Sequence, residues 1–176
     1  MTREERIADF RSLSPLEEHT TNELVSFLNK AGFFDAPAST KYHGAYEGGL
    51  YDHSREVYKA LRELTSLHNL GWERYASPFI VAFLHDLCKA DQYVKTENGY
   101  EYRKDCLLTG HGEKSVMICA SLPLWLTMEE VTCIRYHMGA FVDSKEWSSY
   151  TGAIHQYPNV FWTHTADMIA SHLRGV

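Results

Sequence analysis

Histidine is the residue type that stands out in this chain of 176 residues. The sequence contains ten histidines, and several lie in apolar, helix-like patterns, where a neutral imidazole needs a partner. Helical phase places four of them and two aspartates on inward faces or at the adjoining helix ends: His53, His85, Asp86, His111, His137 and Asp167. Because imidazole nitrogen and carboxylate oxygen suit first-row divalent metals, we expect one or two ions of Mn, Fe, Ni, Co or Zn.

Most of the elements that must position these residues are predicted to be helices. His53 lies on the apolar stripe of a helix that begins at Leu50. The run Phe79–Leu84 is apolar on all sides, as in a central buried helix, and it delivers His85 and Asp86 at its far end. The other candidates belong to a helix that opens at Gly110, one that ends at Gly139 and a last helix over Pro158–Leu173.

Capping boxes at Thr2/Glu5 and Thr20/Glu23 predict two further helices, and a third box at Thr127/Glu130 predicts the start of the helix that ends at Gly139. Strand-like residues on both sides of Asn98-Gly99 predict a hairpin. We therefore expect an all-α fold with one small β-hairpin near residues 93–103. The length fits one domain, in which N-terminal helices over 1–36 pack on a unit over 37–176.

Charge and hydropathy exclude several classes of protein. With 17 basic and 23 acidic side chains the net charge is −6, so no extended nucleic-acid surface is expected. The longest apolar stretch, Pro78–Leu84, is too short for a membrane span, and the first five residues lack a signal-peptide core. These features predict a cytoplasmic protein without a membrane partner.

The four cysteines are too far apart in sequence for a zinc-finger or thioredoxin-like motif. We expect Cys88, Cys106, Cys119 and Cys133 to be reduced and mostly buried thiols.

The ordered set of histidines and aspartates resembles the HD-domain superfamily of metal-dependent phosphohydrolases, which fold as a helical bundle. Residues 85–89, His-Asp-Leu-Cys-Lys, resemble the family's His-Asp-x-Gly-Lys stretch. Residues 43–54 are similar to the Gly-Gly-Leu segment before the first ligand in a bacterial branch that includes 3′-to-5′ exoribonucleases. Thr165-Ala166-Asp167 is similar to the closing helix, so the resemblance covers about residues 37–176. Two departures from the family pattern are Cys88 in place of glycine and the expected absence of an attached nucleic-acid-binding domain.

The resemblance implies a role for each candidate. His53, His85, Asp86 and Asp167 would hold a first metal, and Asp86 would bridge to a second ion held by His111 and His137. Asp86 and Lys89 would be catalytic, with metal-bound hydroxide attacking phosphorus. Lys89 would also bind substrate. We add two candidate substrate contacts: Arg103, a cation predicted near the mouth of the site, and Tyr46, whose ring could stack a nucleobase.

The expected function is that of a metal-dependent phosphohydrolase or phosphodiesterase acting on a nucleotide or short oligonucleotide. One alternative is a metal-containing module that binds or senses a nucleotide without turnover. A di-iron oxygenase on the same scaffold is another. The partner would be a small phosphorylated substrate, and the sequence gives no indication of oligomeric state.

Overall fold

The computed structural model of the chain describes residues 1–106 and 110–176, which are mostly helical. In these ranges the α-helices are α1 (Arg3–Leu13), α2 (Glu18–Ala31), α3 (Gly49–His68), α4 (Ser77–Leu84), α5 (His111–Cys119), α6 (Met128–Tyr136), α7 (Trp147–Gln156) and α8 (Asn159–Met168). Short 3-10 turns span Leu87–Asp91, Gly139–Phe141 and Ser144–Glu146, and α8 continues into a π turn at Ile169–Leu173.

The β structure of the described residues is one antiparallel hairpin. Strands β1 (Tyr93–Thr96) and β2 (Gly99–Tyr102) pair with Tyr93 opposite Tyr102. The prediction of an all-α fold with one small hairpin near residues 93–103 is therefore confirmed.

The core is built around α4, in which every residue is buried. Its Phe79 and Phe83 pack against Phe10 of α1, with ring centroids 5.0 and 4.9 Å apart. Aromatic pairs at this spacing add to the free energy gained from burial alone. Helix α1 therefore shares one apolar core with α4 and does not form a separate layer.

Arg6 of α1 forms hydrogen bonds with the segment that leads into α3. Its guanidinium donates to the carbonyl oxygens of Phe34 and Glu47, each at 2.8 Å. Gly48 precedes α3 with φ of 82°, and a Cβ at that position would meet the Arg6 guanidinium at 1.9 Å. Only glycine fits there, because it tolerates positive φ and leaves room for the arginine.

Two of the three predicted capping boxes form, and the third is wrong. Both the Thr2/Glu5 and Thr127/Glu130 boxes have the two reciprocal hydrogen bonds. At Thr20/Glu23 no box forms, because α2 already begins at Glu18. The adjacent Thr21 shares a hydrogen bond with the Ser14 hydroxyl at 2.8 Å.

Residues 141–157, for which the sequence predicts no element, contain α7. Within the described ranges, no helix combines the length and apolar character needed to cross a bilayer.

Candidate metal centre

Three buried histidines share one hydrogen-bonding arrangement. In each ring Nδ1 lies 2.8 Å from a backbone oxygen, and the pairs are His53 with Val176, His85 with Ala82, and His137 with Ile134. Since these oxygens only accept, each Nδ1 must carry the hydrogen. A neutral ring then has its lone pair on Nε2, which is the form that ligates metals.

The three Nε2 atoms converge on the carboxylate of Asp86. Those of His53 and His85 lie 3.7 and 3.5 Å from Asp86 Oδ2, and that of His137 lies 3.5 Å from Asp86 Oδ1. Asp167 Oδ1 lies 3.2 Å from His53 Nε2. The Nε2 atoms of His53 and His85 are only 3.3 Å apart, close enough for one cation to contact both.

The donor set fits a divalent ion in both chemistry and spacing. Two ligand atoms about 2.1 Å from one tetrahedral ion lie roughly 3.4 Å apart, close to the distances above. Asp86 Oδ1 and His137 Nε2 are buried and have no hydrogen-bond partner within the described part of the chain. Each such atom costs about 1–3 kcal/mol in a protein interior, and a metal would satisfy both.

Lys89 supplies the positive charge that already faces this carboxylate. The 3-10 turn after α4 brings its Nζ to 2.6 Å from Asp86 Oδ2. Burial opposes the charge on Lys89, but the carboxylate outweighs burial and raises the pKa of the ammonium. Burial would also raise the pKa of Asp86, yet Lys89 and the facing imidazoles hold it well below its ordinary value. Asp86 is therefore an anion and Lys89 a cation at neutral pH.

His111, at the start of α5, lies close to Asp86 and Cys88. Its Nδ1 is 3.3 Å from the Sγ of Cys88, and the possible ligand atoms of Asp86, Cys88 and His111 all lie within 4.8 Å of one another. The position of α5 depends on Gly112, where a Cβ would meet the carbonyl oxygen of Arg135 at 1.9 Å. This close approach to the end of α6 brings His111 to the centre.

A cavity of about 150 Å³ opens beside these groups. Asp86, Lys89, His111 and Asp167 lie in its wall, and three histidines that the sequence did not single out also line it: His43, His164 and His172. Burial, together with His53 and Lys89, lowers the pKa of His43 to about 4. His43 is therefore a neutral imidazole at pH 7.

Sequence signals for two of these additional histidines are weak. His43 lies in an irregular loop, where no periodicity marks an inward side chain, and its ring stands 5.2 Å from that of His53. His164 precedes Asp167 by one helical turn, and this spacing could have indicated it. Its Nδ1 donates to the carbonyl oxygen of His137 at 2.9 Å.

Tyr46 and Arg103 do not line this cavity. The Tyr46 hydroxyl donates to Asp52 at 3.0 Å, and the Arg103 guanidinium pairs with Asp105 at 2.9 Å. Their roles in substrate binding stay predictions.

A comparison with known proteins finds one partial similarity to a curated enzyme. A stretch of 68 residues is 37% identical to the dihydroneopterin 2′,3′-cyclic phosphate phosphodiesterase of Methanocaldococcus jannaschii, covering 37% of this chain and 27% of that enzyme. The chain thus matches only about a quarter of that relative's length. No protein-family model matches the chain, and no solved structure matches it significantly.

The similarity and the geometry agree at a coarse level. A buried cluster of histidine and aspartate can hold a metal ion, and the similar enzyme is named for cleaving a phosphate diester.

Proposed function

We propose that this chain is a metal-dependent phosphodiesterase or phosphohydrolase of the HD-domain type, acting on a nucleotide or short oligonucleotide. The observation that carries the proposal is the convergence of three histidine Nε2 atoms on Asp86, each with its Nδ1 hydrogen donated to the backbone. Residues held in this tautomer are oriented to ligate a metal before any metal arrives.

His53, His85, Asp86 and Asp167 would hold a first ion, and Asp86 would bridge to a second beside His137 and His111. A divalent ion in such a site activates water as a nucleophile and stabilises charge on a phosphoryl group. Asp86 contributes a carboxylate that stays ionised at neutral pH because Lys89 and the imidazoles lower its pKa.

Lys89 is the residue of this chain that we assign to the substrate phosphate. Its Nζ lies in the cavity wall and already binds a carboxylate oxygen, so an anionic phosphoryl oxygen is a suitable alternative partner. Once an ion occupies Asp86, the ammonium would be free to bind the phosphate. The neutral His43 on the same wall is a candidate hydrogen-bond partner of the attacking water.

The size of the cavity favours a substrate of which only the phosphate enters. At about 150 Å³ it is smaller than the roughly 300–1,000 Å³ of pockets that enclose whole drug-sized ligands. Phe141 lines the cavity and is 67% exposed, so a planar base outside the cavity could stack on its ring. A small cyclic phosphate, as in the name of the similar enzyme, could place its phosphate in the cavity and the rest of the molecule outside.

The test is a hydrolysis assay with metal-free protein to which Mn, Fe, Ni, Co or Zn is added. The substrates are 2′,3′-cyclic nucleotides, dinucleotides, nucleoside monophosphates and bis(p-nitrophenyl) phosphate. We expect metal-dependent release of a monoester or an alcohol in the parent and loss of product in His85→Ala. His155→Ala, which removes an exposed histidine of α7, is the matched control and should retain activity.

Two other outcomes would overturn the proposal. Tight nucleotide binding without product would indicate a binding or sensing module. Turnover that requires oxygen would indicate a di-iron oxygenase.

A further inference from the structure

Cys88 is a buried thiol that lies inside the candidate metal centre. It follows Asp86 by two residues in the 3-10 turn after α4 and is fully buried. Its backbone N–H donates to the Ser115 hydroxyl at 3.1 Å, which holds the turn against α5. Its Sγ faces the Nδ1 of His111 at 3.3 Å.

The spacing of sulfur and nitrogen fits shared coordination. A tetrahedral ion about 2.3 Å from a thiolate and about 2.05 Å from an imidazole nitrogen holds these two atoms roughly 3.5 Å apart. The observed 3.3 Å requires little movement of either side chain to admit an ion.

A second observation points to a ligand at the same place. The carboxylate of Asp86 is only 3% exposed, and its Oδ1 has no hydrogen-bond partner in residues 1–106 and 110–176. Asp86 belongs to the same cluster of possible ligand atoms as Cys88 and His111. Cys119 and Cys133 are also buried, but neither belongs to a cluster of possible metal ligands in the described residues.

We propose that Cys88 is a ligand of the second divalent ion, which it binds as a thiolate together with His111 and Asp86. The inference rests on the proposed metal centre and adds a sulfur donor to it. On ligation the S–H bond breaks, its electron pair forms the bond to the metal, and the proton leaves to solvent, with no electron transfer. A soft sulfur donor makes this position selective for Zn, Co or Fe over Mg or Mn.

The competing arrangement is a hydrogen bond in which the Cys88 thiol donates to His111 Nδ1. Both arrangements place the atoms at this separation, but only coordination produces a metal–sulfur bond. Co²⁺ distinguishes them, because a thiolate ligand adds a sulfur-to-cobalt charge-transfer absorption in the near ultraviolet, whereas nitrogen and oxygen ligands do not.

The experiment is a titration of the chelator-treated full chain with Co²⁺, followed by absorption and by metal analysis. We expect the parent to bind two equivalents, with the charge-transfer band growing as the second ion binds. Cys88→Ala should lose the band and at least about tenfold in affinity for the second ion, and keep the first. Cys119→Ala, the matched control, should behave as the parent does.

Other outcomes separate this inference from the proposed function. Cobalt binding without a sulfur band in the parent, or a band that persists in Cys88→Ala, overturns the role of Cys88 and leaves the first metal position intact. Failure of the parent to bind cobalt at all overturns both. The spectrum of the parent tests for the sulfur band even if no variant folds. If circular dichroism shows that Cys88→Ala is unfolded, Cys88→Ser, which conserves volume, replaces it.

Discussion

Asp86→Asn is the substitution with the largest expected consequence, because both candidate ions and Lys89 depend on this carboxylate. Asparagine has nearly the same volume but no charge. In the metal-free protein the substitution leaves the Lys89 ammonium, which is 12% exposed, without its counter-charge.

The distance between the Asp86 carboxylate and the Lys89 ammonium sets the size of the expected loss of stability. Two unit charges 2.6 Å apart attract by about 6 kcal/mol at an effective dielectric constant of about 20. Desolvation of both groups offsets part of this attraction, and removing one member of a buried pair costs about 3–5 kcal/mol. We expect the metal-free variant to lose a similar amount of its free energy of unfolding at neutral pH.

The pH dependence of this loss follows from the pKa of Asp86. Burial would raise that pKa, but Lys89, His85 and His137 hold it below its ordinary value. A carboxyl with a lowered native pKa stabilises the fold above the unfolded pKa of about 3.9, and the contribution is lost as pH falls through the native pKa. The difference between parent and variant should therefore be complete at pH 7 and shrink below about pH 4.

Urea denaturation in the presence of a chelator measures the free energy of unfolding of four proteins: the parent, Asp86→Asn, Lys89→Met and the double variant. The double variant should recover most of the loss, because the unpaired ammonium is gone. Addition of Co²⁺ should raise the melting temperature of the parent and leave that of Asp86→Asn unchanged. Equal stability of parent and Asp86→Asn without metal, or an equal rise with metal, would refute the reasoning.

Three other substitutions test separate parts of the structure. Lys89→Ala should retain metal, because the ammonium competes with an ion for its carboxylate partner, and should lower kcat/KM by about 10²-fold; lost metal in elemental analysis would contradict this. Glu130→Ala removes a buried carboxylate that accepts two bonds from Arg74, at 2.8 and 2.7 Å, and should cost about 3–5 kcal/mol in urea while metal stoichiometry is unchanged. Gly49→Ala would place a Cβ 2.0 Å from a backbone oxygen and should lower the free energy of unfolding in urea by about 1–3 kcal/mol. The control Gly71→Ala, with open space around it, should keep a free energy of unfolding within about 0.5 kcal/mol of the parent's.

Sequence patterns predict the helices well where apolar periodicity and capping agree. Thr127 and Glu130 cap a helix that has an apolar stripe, and both reciprocal bonds form. The Thr20/Glu23 spacing matches equally well, but it lies inside a helix that starts earlier. A capping motif reports only local hydrogen-bonding options, and the choice among them depends on packing that the motif does not contain.

Helical phase indicates which histidines turn inward but not what meets them. It places His53 and His137 on buried faces, and the structure places both side chains beside Asp86. The contact between Cys88 and His111 joins residues 23 positions apart, and it depends on how closely α5 approaches the 3-10 turn after α4. A spacing rule within one helix cannot give a distance between two elements.

The ion pair between Lys89 and Asp86 explains how so polar a cluster can be buried before metal binds. A carboxylate with no cation would carry the full cost of desolvation, and the ammonium at 2.6 Å offsets much of it. The pair leaves Oδ1 of Asp86 and Nε2 of His137 unsatisfied, so the metal-free site is stable enough to fold and still favours a ligand. Because the same ammonium lies in the cavity wall, an ion that takes its place on Asp86 would free it for an incoming phosphate, and metal binding would thereby prepare the substrate site.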